Sequence, residues 1–130
     1  MQINSTTVRN NMADQIDAGV GATGYARFQN TAQTATYAKV ALANPAFGAA
    51  ASGAITLDVT PTPEDTSPTA GTATRLGFYT AKTAGTLVFT LGINTTGTPD
   101  VTMADNTIAT TDTVQLTSLV VTVPAGTPTT

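Results

Sequence analysis

The chain has 130 residues, enough for one domain with its own core and no need of a metal or disulfide staple. It carries a net charge of −3, with 10% charged residues, 5% aromatics, no His and no Cys. That composition excludes a Ser-His-Asp triad, a Cys-His pair and a disulfide framework, and it removes the commonest zinc ligands.

Typical soluble domains hold about 25% charged residues. Here Thr and Ala fill that place, and β-branched Thr favours pleated surfaces. A mildly polar surface of this kind suits either an uncharged β-domain or a protein packed against others. The five basic residues, Arg9, Arg27, Lys39, Arg75 and Lys82, are spread along the sequence without a basic run. Their spacing argues against nucleic-acid binding and against an anionic membrane surface. MQINSTTVRNN lacks the apolar centre of a signal peptide, and no apolar run approaches a membrane span. The expectation is a soluble protein with no secretion address at this N-terminus.

In chain order, residues 5–18 read as the one helix. Ser5, Thr6 or Thr7 supplies the N-cap, and Gly19 the stop. Val8, Met12 and Ile16 recur every four residues as a narrow apolar stripe, too thin for a buried helix. GVGATG, 19–24, is a connector, so the chain divides into an N-terminal arm, 1–24, and a β-domain, 25–130. Beyond it the period becomes two. Residues 25–28 and 37–42 are strands, and Ile55, Leu57 and Val59 alternate with polar residues in a third. PTPEDTSPTAG, 61–71, is a Pro-rich acidic loop. Leu76 and Phe78 share one face, and Leu87, Phe89, Leu91 and Ile93 another. AKTAG, 81–85, joins these two strands as a hairpin. NTTGTPD, 94–100, is a turn, and 101–103 and 107–108 are short edge strands. In 113–123 the apolar positions change parity, which places a β-bulge near Thr117 and Ser118. PAGTPTT, 124–130, is a frayed tail. The sum is a mainly β chain. It reads as an antiparallel β-sandwich of about seven strands, Ig-like or Greek-key, with one short N-terminal helix.

Chemistry is left to the carboxylates. Glu64 and Asp65 are neighbours in a loop that nothing holds for paired-acid catalysis. Asp100, Asp105 and Asp112 fall in turns and could meet around calcium, although Asp is also an ordinary turn residue. GVGATG neither follows a strand nor opens a βαβ helix, so it is a linker and not a dinucleotide loop. Tyr25, Tyr37 and Tyr79 could stack on sugars, or could sit half in the core. No metal, cofactor or catalytic residue is assigned, and the chain reads as a non-enzyme.

The order of four segments carries a resemblance. TTVRNNMADQIDAG is followed by VALANPAFGAAASGAITL, then GTATRLGFYTAKTAGTLVFTLGI, then VQLTSLVVTVPAG. Nearly the whole chain thus resembles a family of small virion structural proteins of tailed bacteriophages. The most specific element is Pro45-Ala46-Phe47-Gly48-Ala49 placed ahead of Gly71-Thr72-Ala73. Leu76, where the family pattern has a large aromatic, and the loop after Tyr25, which lacks an acidic Gly-rich turn, depart from it.

The resemblance implies a non-enzymatic capsid decoration (cement) protein on the outer surface of the phage head, made in the host cytoplasm. Its expected partner is the major capsid protein, and self-association is expected too, with a homotrimer at capsid three-fold positions or a monomer as the two options. A tail or neck component and a carbohydrate-binding virion module are the alternatives. Val8, Met12, Ile16 and Tyr25 are the candidate partner-binding residues. Pro45, Phe47 and Gly48 are the structural anchor. In this reading Pro45 ends a strand, Phe47 drops into the core, and Gly48–Gly53 carry the chain from one sheet to the other.

Overall fold

The computed structural model describes residues 3–96, 101–103 and 105–125. Helix α1 (Thr6–Val20) begins where Ser5, in extended backbone, accepts the Val8 amide on its Oγ at 3.3 Å. The helix passes the expected stop at Gly19 and ends at Gly21 (φ 75°), whose N–H donates to the Asp17 carbonyl at 3.1 Å. Its buried residues are Ala13 and Val20, so it docks by a face other than the Val8–Met12 stripe.

Among the described residues eleven short strands follow, where about seven are expected: β1 (Tyr25–Gln29), β2 (Thr36–Ala41), β3 (Ala54–Thr56), β4 (Glu64–Asp65), β5 (Gly71–Thr72), β6 (Arg75–Tyr79), β7 (Leu87–Asn94), β8 (Val101–Thr102), β9 (Thr107–Ile108), β10 (Val114–Gln115) and β11 (Val120–Thr122). One sheet has five strands in the order β2-β1-β6-β7-β8, antiparallel except for the β7–β8 edge. The others are two-stranded antiparallel ladders, β3–β11, β4–β10 and β5–β9. The fold is therefore mainly β with one helix, as the periodicity indicates, and its sheets do not close into a barrel.

The core lies between the five-stranded sheet and the ladders. Phe28, Leu76 and Phe78 from the sheet share one buried cluster with Phe47, Ile55, Leu57, Val114, Leu116 and Leu119. Phe78 and Phe89, opposite each other on β6 and β7, stack with centroids 4.3 Å apart. Burying such side chains contributes about 1.5–3 kcal/mol each, which is what fixes the inner face of every strand.

Three sequence expectations change in detail. The 61–71 segment is more than a loop, because Glu64–Asp65 pairs with Val114–Gln115. The hairpin over 75–94 forms as expected, but a register shift between Phe78 and Tyr79 puts Tyr79 opposite Leu87 and skips Val88. That bulge reverses the facing of Leu87. It is 37% exposed, while Val88 packs against the core cluster. In the last segment Val114, Leu116 and Leu119 are all buried and Val121 and Val123 pack on the core. The parity change is accommodated by a break in pairing between β10 and β11. Asp100 and residues 97–100 of the expected turn lie outside the described residues, as do 126–130 of the tail.

Candidate functional site

LANPAFGAAASGAITL, 42–57, makes a hairpin, so the expected passage of Gly48–Gly53 from sheet to sheet is corrected. Asp58 N–H donates to the Ala46 carbonyl, and Gly48 N–H to the Thr56 carbonyl, each at 2.9 Å. Ala51 and Ala54 exchange both N–H···O bonds at 2.9 Å. The two residues between them have positive φ, Ser52 at 53° and Gly53 at 77°, the pattern of a type I′ turn. The Ser-Gly pair inside an Ala-rich run is the local signal for this turn.

The outer arm of that hairpin is held by the helix. Asn10, Asp14 and Asp17 lie at i, i+4 and i+7, on one face of α1. Their Oδ1 atoms accept the amides of Gly53 (2.7 Å), Ala50 (2.8 Å) and Phe47 (3.0 Å). Arg9 adds a bond from Nη1 to the Ser52 carbonyl at 3.2 Å. Helix side chains thus replace a neighbouring strand along this arm. Small residues keep its backbone within reach of short side chains, which is why Ala and Gly concentrate there. The three acceptors went unremarked in the sequence because they sit off the apolar stripe. Their spacing, one helical face of short oxygen acceptors, is the signal that points to them.

The structural anchor residues divide. Phe47 is 1% exposed and has the rings of Phe78 and Phe89 at 6.0 and 6.5 Å. Pro45 and Gly48 are exposed. Of the candidate contact residues, Val8 and Met12 are 45% and 41% exposed on the outward side of α1, whereas Ile16 packs against the core. Tyr25 is half-buried on β1, away from the helix stripe and opposite Tyr79.

Most of the described carboxylates are engaged with backbone. Asp65 accepts the Lys39 and Ser67 amides, Asp105 the Thr107 amide and Asp112 the Ala109 amide. Glu64 accepts Gln115 Nε2. Asp105 and Asp112 line one groove of about 370 Å³, each on its own turn. Among the described residues no three carboxylates are placed to share a metal ion. No helix among them is long and apolar enough to cross a membrane.

The outer face of the five-stranded sheet is the second notable surface. Arg27 and Lys39 are directly opposite on β1 and β2, and Arg75 lies two places along β6 from the residue opposite Arg27. Arg27 sits 3.8 Å over the Tyr79 ring and donates from Nη2 to the Ala81 carbonyl. The Tyr79 hydroxyl is bonded in turn to the buried side chain of Gln29. Lys82, in the β6–β7 loop, lines a groove of about 280 Å³ with Lys39, Tyr37 and Asp65. Cations distant in sequence are thereby collected on one face. The tyrosines do not form an exposed platform: Tyr79 is 8% exposed beneath Arg27, and Tyr37 packs against the core cluster.

Comparison with protein-family models, with curated proteins and with solved structures finds no match to this chain.

Proposed function

We propose that this chain is a non-enzymatic structural protein of a tailed-bacteriophage virion, acting as a capsid decoration (cement) protein on the outer surface of the head. The observation that carries the reading is the helix. It is pinned to a rigid β-domain by Asn10, Asp14 and Asp17, and it presents Val8 and Met12 outward at 45% and 41% exposure. An apolar pair on a held helix loses little side-chain and backbone freedom on docking, so it suits contact with a fixed protein lattice. The carboxylates are largely occupied in holding backbone, and the order of the four sequence segments points the same way.

The mechanism is mechanical. The β-domain docks on the assembled major capsid protein, bridges neighbouring capsomers and adds buried interface that resists internal DNA pressure. Each copy contributes modest affinity, and bridging by many copies, with self-association at three-fold positions, multiplies it through effective concentration.

The test is to mix the purified chain with expanded empty heads of the parent phage and image them. Regular density at fixed lattice points is expected, lost in Val8→Asp/Met12→Asp with no fall in melting temperature. Heads without density, with label on tails or necks, would move the protein to that part of the particle. Labelling of neither overturns the virion reading.

A further inference from the structure

The outer face of the five-stranded sheet carries cations that no ion pair among the described residues compensates, although Arg27 also packs on Tyr79 and donates to the Ala81 carbonyl. Four of the five basic residues, Arg27, Lys39, Arg75 and Lys82, belong to this face or to the loop at its end. Like charges directly opposite across two strands are destabilising, and Arg27 faces Lys39 in that way. No carboxylate lies within ion-pair distance of any of the four among the described residues. The one acid beside them, Asp65, is turned to the amides of Lys39 and Ser67. Arg27 Nε is buried without a hydrogen-bond partner. Away from this face the described residues have the opposite sign, with Arg9 as cation against Asp14, Asp17, Asp58, Glu64, Asp105 and Asp112.

We infer that this face is the contact surface for the carboxylate-bearing surface of a second copy of the same chain. Charge complementarity on the molecule itself argues for this occupant. A chain of net charge −3 that gathers its cations on one sheet face offers a copy of itself both halves of an electrostatic interface. A long polyanion would also meet the four cations, but a chain of net charge −3 repels it beyond them. The face also offers Leu87, 37% exposed because of the bulge, and half-buried Tyr25, both in the row of Tyr79 at the end of the sheet next to the Lys82 loop. Contact between unlike faces is head-to-tail, which closes into rings such as trimers when the rotation allows. The inference takes self-association from the proposed function and names its surface. It requires no capsid, so the two fail separately.

The experiment is sedimentation velocity of the purified full chain at about 0.01 M and about 1 M salt, where the screening length falls from roughly 30 Å to 3 Å. Expected is a species heavier than the 13.1 kDa monomer at low salt, dissociating at high salt. Arg75→Glu/Lys82→Glu should weaken association by about tenfold or more. Arg27 is left unchanged because it packs on Tyr79, and circular dichroism checks that the variant stays folded. A monomer at both salts overturns the inference, and so does association that survives the double reversal. A chain that is monomeric alone but binds a single-stranded oligonucleotide or a sulfated polysaccharide at low salt also overturns it, and gives the face to a polyanion.

Discussion

Removing one carboxylate from the helix tests whether α1 is held by its polar face. Asp17 stands in the last turn of α1, near the negative end of the helix dipole, and Asp is a weak helix former. On those local terms Asp17→Ala should stabilise the protein, by about 0.5 kcal/mol from propensity and about 0.3–1 kcal/mol from the dipole. Against this stands one hydrogen bond. The Phe47 amide donates to Asp17 Oδ1 at 3.0 Å, and Phe47 is 1% exposed. Stripping the acceptor from a partly buried amide beside a charged partner costs about 1.5–3 kcal/mol. The net expectation is a loss of about 1 kcal/mol, opposite in sign to the local prediction.

Asp17→Asn separates the terms, because it keeps an Oδ1 acceptor and removes the charge. It should lie within about 0.5 kcal/mol of the parent chain. Asn11→Ala, on the exposed side of the same helix, should gain a few tenths of a kcal/mol, as propensity alone requires. Urea unfolding monitored by circular dichroism, read from midpoint and slope, measures all three. An Asp17→Ala chain more stable than the parent would refute the polar latch.

Two further substitutions probe the hairpin that the latch holds. Phe47→Ala should cost about 3–5 kcal/mol in the same unfolding assay, because the ring is enclosed by Phe78 and Phe89; a loss under about 1 kcal/mol would place it outside the core. Gly53→Ala forces a side chain into positive φ, with its Cβ 2.6 Å from Arg9 Nη1 and 3.0 Å from the Val123 carbonyl oxygen, and should lower stability by about 1–3 kcal/mol. Gly48→Ala meets nothing nearer than 3.9 Å and should be close to neutral in thermal melts, so equal effects at the two glycines would contradict the turn assignment.

The β-rich fold class, the single helix and the 75–94 hairpin were legible because alternation is a local property and each strand has one face in the core. Leu76 and Phe78 announce their side directly, and both are fully buried. What local pattern cannot carry is pairing. Leu87 has the right parity for the inner face, yet the skipped Val88 turns it outward, and only the register with β6 shows that. The Glu64–Asp65 pairing was hidden for the same reason, since a two-residue ladder between segments far apart leaves no periodic trace. The Ala/Gly run was readable as a packing device, with Phe47 as its buried residue. Its partner was not, because the residues that meet it are acceptors on a helix some thirty to forty-three positions away. For the candidate site, Val8 and Met12 could be found from spacing alone, whereas Ile16 shares that spacing and turns toward the core.

The two surfaces are linked through how this chain uses its few charges. A domain with eight carboxylates and five cations would ordinarily scatter ion pairs over its surface. Here Asp14 and Asp17 on α1, Asp65 on β4 and Asp105 and Asp112 in turns accept backbone amides that no strand neighbour reaches. Acids engaged in this way are held close to the backbone of their own turn or helix, and each satisfies a donor that would otherwise cost about 1–3 kcal/mol if buried unpaired. Of the cations, Arg9 and Arg27 donate to the Ser52 and Ala81 carbonyls, while Arg27, Lys39 and Arg75 lie on one sheet face with Lys82 in the loop beside it. Carboxylates committed to amides are not free to turn toward a neighbouring cation, as Asp65 shows beside Lys39 and Lys82, and this is the physical link between the latch and the uncompensated face.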